Sequence, residues 1–383
     1  MKKILFCLLA ALPGLFAPGC APKEPLPTPT AASPGYGNHP KNAFYQSQLD
    51  QYRTQHGAPG AILLVKTLQH GLWVGGSGTS NLAHQTPMRG NERIRVGSLT
   101  KPFTAAVILS LKEKGLLSLD DKLADWLPQT KGNIPRADAI TLRHLLSHTS
   151  GIRNAGDDNL SFKAALLNNP ADVDMTKPER ILERFIYGKP LDFQPGTGYN
   201  YCNTGFMLLG MVAEKAGGKP LQILMQELIF TPLQMTDTYL EKREDDRVVR
   251  DYFDLYGNGK LLDVSEWENA YDIGGAAGGL VTTVADLLKF SEGLAGDQLS
   301  GGATLAQMRT SAQLPTCPEG DCEYGLGLAS GRWRNGQPYY GHGGGIIGLD
   351  VYWYHFPEQG ATVIAFLNKG VATDKSLVDR VLF

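Results

Sequence analysis

Apolar residues recur along this chain with two different periods, and the switch between them outlines an architecture. Residues 43–56 read as an opening helix, and 61–66 and 72–76 as β-rich runs either side of the turn Gln69-His70-Gly71, a hairpin pattern. Residues 93–96 lead into Phe103-Thr104-Ala105-Ala106-Val107-Ile108-Leu109, a run with the length and Ala/Leu content of a buried helix ending near Gly115. The spacing then stays helical to about residue 310, with segments 142–147, 178–187, 205–216, 220–229 and 284–294 separated by loops rich in Gly, Pro, Asn and Asp. Pro178 and Pro220 stand where a first helical residue tolerates proline. After Cys322 the period falls to two: 324–330, 338–341, 348–355 and 361–368 are strand-like, and 377–382 is a short closing helix.

Strands at both ends with helices between them predict an α/β fold, an antiparallel sheet flanked by helices. The division expected is a discontinuous α/β domain, 41–97 and 320–383, carrying an inserted mainly helical domain, 98–319. The pairing should be antiparallel because the turns between strands are short, and the cleft between the two parts is where a site is expected.

Composition narrows the partners. At 383 residues and 42% hydrophobic content the chain can fill a sizeable core, and a net charge of -2 without basic runs argues against nucleic acid. A small, near-neutral ligand fits better. Lys2 and Lys3, the apolar run 4–16 and small residues up to Cys20 form a secretory leader, residues 1–19. Cleavage after Ala17 or Ala21 would put Pro18 or Pro22 first, whereas cleavage before Cys20 avoids proline. The ending Ala17-Pro18-Gly19-Cys20 resembles a bacterial lipoprotein signal, with Cys20 the lipidated residue and the alternative an ordinary secreted protein. Residues 20–40 carry six prolines after Cys20 and suit an extended tether. The expected address is the bacterial cell envelope, with the membrane touched only through the lipid. Of the remaining cysteines, Cys317 and Cys322 can close the loop CPEGDC, worth about 2 kcal/mol in the chain-entropy model, and Cys202 would stay a buried thiol.

Three stretches could carry chemistry. In Ser98-Leu99-Thr100-Lys101 the serine falls at or near a helix N-terminus, and three residues of helix bring Lys101 back to its face, roughly 4.5 Å along the axis. A hydroxyl needs a base to become a nucleophile, a partly buried amine can be that base, and helix-end N–H groups can hold an oxyanion. Tyr201-Cys202-Asn203 offers a phenol to shuttle a proton and an amide to hold a substrate or the lysine, with Tyr199 as the rival phenol. His342-Gly343-Gly344-Gly345 offers a strand edge and N–H groups that a substrate can approach, or simply a hairpin turn. It also matches the HGGG string of α/β-hydrolases, but no G-x-S-x-G accompanies it. His144 and His148 stand four apart on a predicted helix, a metal-pair spacing, yet no glutamate follows His144 and no third ligand suggests itself, so they read as structural.

Taken in order, SLTK, YCN and HGG resemble the three motifs of the serine β-lactamase and penicillin-binding protein superfamily, and more closely its class C β-lactamase and D-alanyl-D-alanine carboxypeptidase branch, which also includes esterases and D-aminopeptidases. LDDKLADWLP, ITLRHLLSHTSGI, PGTGYNYCNTGFMLLG, PLQMTDT and GGAAGGLVTTVADLLKF extend the resemblance over residues 43–370. It implies a β-lactamase/transpeptidase-like fold and acyl transfer without metal or organic cofactor. By motif, Ser98 would be the acylated nucleophile, Lys101 its activating neighbour and Tyr201 the proton relay. Asn203 would contact the substrate amide, His342 would take the place of the third-motif lysine, and Gly344 and Gly345 would lie along the substrate, the N–H groups of Ser98 and Gly345 forming the oxyanion hole. Substrates implied are a peptide, an ester or a β-lactam. His342 in place of lysine and Gly345 without a hydroxyl weaken recognition of a substrate carboxylate, a loss Arg332 or Arg334 could offset, and Cys202 replaces a small Ser or Ala. The activities implied are a D-alanyl-D-alanine carboxypeptidase-like or esterase hydrolase, with a class C-like β-lactamase or a slowly deacylating penicillin-binding sensor as alternatives.

Overall fold

The computed structural model describes residues 36–155, 177–240, 245–266, 275–299, 304–310, 322–370 and 374–383. The leader 1–19, Cys20, the tether as far as residue 35 and Cys317 of the candidate disulfide lie outside them. The described strands, in chain order, are β1 Gly60–Thr67, β2 Gly71–Asn81, β3 Thr86–Pro87, β4 Ile94–Arg95, β5 Tyr252–Phe253, β6 Leu262–Asp263, β7 Val281–Thr282, β8 Cys322–Tyr324, β9 Ala329–Arg332, β10 Pro338–Ile346, β11 Leu349–Phe356 and β12 Ala361–Leu367. Eight of them form one sheet in the order β3-β2-β1-β12-β11-β10-β9-β8. Every pairing in it is antiparallel, as the short turns require. The two ends of the chain meet where β1 pairs with β12, from Ala61 opposite Leu367 to Lys66 opposite Thr362.

Both faces of this sheet are covered. Ile62 and Leu64 of β1, Val351 and Trp353 of β11 and Ile364 and Phe366 of β12 join the core built with the central helices. The alternate residues Ala61, Leu63, Tyr352, Tyr354, Val363 and Ala365 pack on the other side against Tyr45, Leu49 and Tyr52 of α1, Asn42–His56, and Leu377 and Val381 of the closing helix Ser376–Leu382. A strand buried on both faces loses its polar alternation, and β12 accordingly reads as a nearly continuous apolar run.

The central helix is α2, Thr100–Glu113, buried from Thr100 to Leu111. Buried on all sides over this stretch, it is an interior helix. A 3-10 turn, Gly97–Leu99, precedes it, so Ser98 stands just ahead of the helix. Gly97 holds φ +48, a left-handed conformation that costs glycine least, and its carbonyl accepts the Thr100 hydroxyl at 2.8 Å.

Several expected elements differ in detail, among them the strand expected over 72–76, which runs from Gly71 to Asn81. Segment 178–187 is an α-turn, Pro178–Ile181, continued by a π-turn, Leu182–Ile186, and 220–229 repeats this as Leu221–Met225 and Gln226–Phe230. A change to i→i+5 bonding shifts the register too little over five residues for apolar spacing to record it. The single strand expected over 324–330 is two, β8 and β9. Between them Gly327, at φ +74, lies so close to α2 that a Cβ there would come within 2.6 Å of Ala105 Cβ. The strand expected over 338–341 runs on as β10 through Ile346, so the His-Gly-Gly-Gly stretch is strand and not a hairpin turn.

Candidate active site

Ser98 and Lys101 meet as the one-turn spacing requires. Lys101 Nζ donates to Ser98 Oγ at 3.0 Å, to Asn203 Oδ1 at 2.7 Å and to the carbonyl of Ala277 at 2.8 Å. An ammonium has three N–H donors, and here each has an acceptor, which is what allows a fully buried lysine. Ser98 is half-buried, so a substrate can reach the hydroxyl while the amine behind it is closed to water. Asn203 opens the helix Asn203–Gly217, and its backbone N–H is fixed by Asn154 Oδ1 at 2.8 Å. The ring of Tyr201 lies under Lys101, Nζ standing 4.8 Å from its centroid.

Strand β10 closes the site from the sheet side. It pairs with β9 only from Pro338 to Gly341, whereas its pairing with β11 runs from Tyr340 to Ile346. Among the described strands, the edge from His342 to Ile346 therefore has no β partner on the side away from β11. Such an edge can take up an extended substrate. Gly344 faces the turn that carries Ser98: a Cβ there would lie 2.0 Å from the Val96 carbonyl and 3.1 Å from the N of Leu99. Gly345 sits alongside, its N 3.2 Å from the position a Cβ on Gly97 would take. Only a residue without a side chain lets these two backbones come together.

His342 is buried, and its ring is tied at both nitrogens. Nδ1 lies against the carbonyl of Gly343, which can only accept, so Nδ1 carries the hydrogen. Nε2 then accepts from the hydroxyl of Tyr324 at 2.9 Å. Burial, reinforced by the charge of Lys101, lowers the His342 pKa to about 3. A neutral imidazole results. Burial likewise drives the Tyr324 phenol well above its ordinary range, so it stays a donor.

A second imidazole, His148, lies in the same cluster. Its centroid is 4.3 Å from that of Tyr201 and 4.6 Å from that of Tyr324, with Tyr199 at 6.0 Å. His144 and His148 do not share a helix face, because the helix Leu142–Leu146 stops before His148, which takes φ +59. His144 instead serves the capping box of that helix, Nδ1 accepting the Thr141 N–H at 3.2 Å. Cys202 is buried with its thiol directed to the Ile152 carbonyl at 3.2 Å, and burial pushes it up to about 11.

Arg332 and Arg334 are not brought to this cluster: Arg332 bonds the Gly336 carbonyl of its own hairpin, and Arg334 pairs with Asp379 of the closing helix. Sequence reasoning missed Ala277, Tyr324 and the side-chain role of His148. A backbone carbonyl leaves no mark in a sequence, and no local pattern distinguishes Tyr324 from the other tyrosines. A cavity of about 860 Å³ opens beside the site, bordered by Arg95, Gly278, Gly279 and Ile346 among others.

Residues 46–382 match the family model described as Beta-lactamase. The chain belongs to the beta-lactamase family. It is 29% identical over 349 residues to penicillin-binding protein 4 of Amycolatopsis lactamdurans, covering 87% of this chain and 86% of that protein. Esterase EstB of Burkholderia gladioli is 30% identical over 215 residues, 54% of this chain and 53% of the esterase. Among solved structures, the D-stereospecific amidohydrolase from a Streptomyces species superposes with a TM-score of 0.77 at 30% identity, covering 90% of this chain and 99% of the other. The expected fold, an antiparallel sheet flanked by helices in the β-lactamase/transpeptidase manner, is borne out. Membership makes the chain a serine hydrolase of this family.

Proposed function

We propose that this protein hydrolyses a small amide or ester through an acyl-enzyme on Ser98. The observation that carries the reading is the placement of a reachable Ser98 hydroxyl 3.0 Å from a buried Lys101 that is itself held by Asn203 and Ala277. In the first half-reaction Ser98 Oγ bonds to the substrate carbonyl carbon. Its proton passes by way of Tyr201 to the leaving nitrogen or oxygen, the old acyl bond breaks, and an ester remains on Ser98. Water then attacks that ester, gives its proton back along the same path and frees the acid. The developing oxyanion is held by the N–H groups of Ser98 and Gly345. Lys101 keeps the serine oxygen and the amide of Asn203 in register throughout.

A neutral His342 cannot form an ion pair with a substrate carboxylate, and glycines at 343 and 345 bring no hydroxyl to replace it. The substrate favoured is therefore an ester or amide uncharged at that end, in line with the likeness to an esterase and an amidohydrolase. The likeness to a penicillin-binding protein supports a second reading, a D-alanyl-D-alanine carboxypeptidase-like or penicillin-acylated protein. The leader supports an envelope address with a lipid on Cys20; no helix among the described residues is long and apolar enough to cross a membrane.

The test is a panel of a p-nitrophenyl ester, a D-amino acid amide, a D-Ala-D-Ala peptide and nitrocefin, run on the protein and on Ser98→Ala. Turnover of the ester or amide, lost in the variant, is expected. Turnover kept by Ser98→Ala overturns the mechanism, and a stable penicillin adduct without turnover of any substrate establishes the second reading.

A further inference from the structure

The chain either side of Tyr201 is held by one residue. The backbone carbonyl of His148 accepts the N–H of Asn200 at 3.0 Å, and the His148 side chain accepts the N–H of Cys202 through Nδ1 at 3.1 Å. Tyr201 is the residue between these two anchors, and its ring packs on the imidazole with centroids 4.3 Å apart. We propose that His148 is a positioning residue that sets Tyr201 for proton transfer by gripping the chain on both sides of it. The inference rests on the reading of Tyr201 as the relay.

Three further observations support it. Because Nδ1 accepts a backbone N–H, the hydrogen of the neutral ring is on Nε2, and Nε2 has no hydrogen-bond partner among the described residues. The residue is 1% exposed. An unpaired buried N–H is unfavourable, and a leucine or phenylalanine would fill the space without it, so the accepting nitrogen is the reason for a histidine here. Burial and the nearby Lys101 hold the ring neutral, which keeps Nδ1 an acceptor. Finally, His148 sits at φ +59, a conformation unfavourable for most side chains, and this strained backbone aims its carbonyl and its ring at the same short segment.

The test uses three variants, assayed for kcat and KM on a p-nitrophenyl ester. Asparagine tolerates the left-handed backbone and offers Oδ1 near the position of Nδ1, so His148→Asn should keep kcat within about threefold. His148→Gln lacks an acceptor there, and His148→Gly lacks it while relieving all backbone strain. Each should lose about tenfold or more in kcat with KM changed less than about twofold, roughly the loss of one hydrogen bond from the transition state. On a Tyr201→Phe background, His148→Gly should add less than about twofold, because both changes remove the same relay. Equal losses on both backgrounds overturn the proposal while leaving the relay intact. A Tyr201→Phe variant with undiminished kcat overturns the relay and the proposal together. His148→Gly as active as His148→Asn would show that the acceptor is dispensable and overturn the proposal. Should the glycine variant fail to fold, the Asn and Gln variants decide: equal kcat overturns the inference.

Discussion

Tyr324 donates its hydroxyl to Nε2 of His342 at 2.9 Å, and this bond leaves the imidazole with no lone pair for a substrate donor and no charge for a carboxylate. The pair should make the site indifferent or averse to anionic ends. A depsipeptide with a free terminal carboxylate and its methyl ester offer a direct comparison. The ester should have the higher kcat/KM, and His342→Lys should shift the ratio toward the acid by about tenfold or more, the scale of one buried charge-assisted hydrogen bond. A wild-type preference for the acid would show that another group binds the carboxylate.

The three glycines after His342 are not equivalent. A Cβ on Gly344 would meet the Val96 carbonyl at 2.0 Å, backbone against backbone, whereas on Gly343 and Gly345 the nearest atoms stand 4.0 Å and 3.7 Å away. Gly344→Ala should therefore push β10 off the turn that carries Ser98, costing about 1–3 kcal/mol of stability and most of the activity. Gly343→Ala and Gly345→Ala should unfold within about 0.5 kcal/mol of the parent. Urea titration of the three variants separates these outcomes, and an equal effect at all three would contradict the close approach.

What the sequence made legible follows from the range of the interactions. The Ser98–Lys101 contact is local, fixed by helical geometry, and could be read from a spacing of three. The sheet could be read as strands at both ends of the chain, and that pattern joined the ends in one domain, but the strand order, with β1 against β12, depends on contacts some three hundred residues apart and was not legible. Asn203 reaches Lys101 across 102 positions; residue chemistry allowed its amide to hold either a substrate or the lysine, and the bond to Lys101 is one of these. The spacing of His144 and His148 suggested one helix face, but the helix ends at Leu146, and His148 packs against Tyr201 instead. Backbone features such as the Ala277 carbonyl and the left-handed Gly97 are consequences of packing that residue types do not encode.

Cys202 stands between Tyr201 and Asn203, yet it should behave as an inert thiol. It is buried, bonded to the Ile152 carbonyl, and pushed up to about 11, so almost none of it is thiolate at neutral pH. Native protein should leave Cys202 unmodified by iodoacetamide over hours while denatured protein reacts, as peptide mass spectrometry would report. Rapid native labelling at this position would mean that the segment 200–203 opens.

Acid should destabilise the fold well before its carboxylates titrate. His342 is lowered to about 3 and His355 to about 4, both chiefly by burial, and His148 is lowered well below its ordinary value for the same reason. Unfolded, each would titrate near the ordinary value of about 6.5. Between that value and the folded one, only the unfolded chain binds the proton. The unfolded state then holds more protons than the native state, so stability rises with pH across the window and falls as pH drops through it. The carboxylates lowered by their hydrogen-bond and ion-pair partners, Asp245, Asp263 and Asp374, begin from 3.8 and add their loss only below the histidine range. Melting temperature should accordingly hold near pH 7 to 8, begin to fall below about 6.5, and keep falling to about 4. His355 lies away from Ser98, bonded to the Thr362 hydroxyl at 2.9 Å, so His355→Gln should flatten part of the slope without touching turnover. A melting temperature level from pH 7 to 5 would mean that these imidazoles are protonated in the fold, and with them the neutral His342 on which the choice of substrate depends.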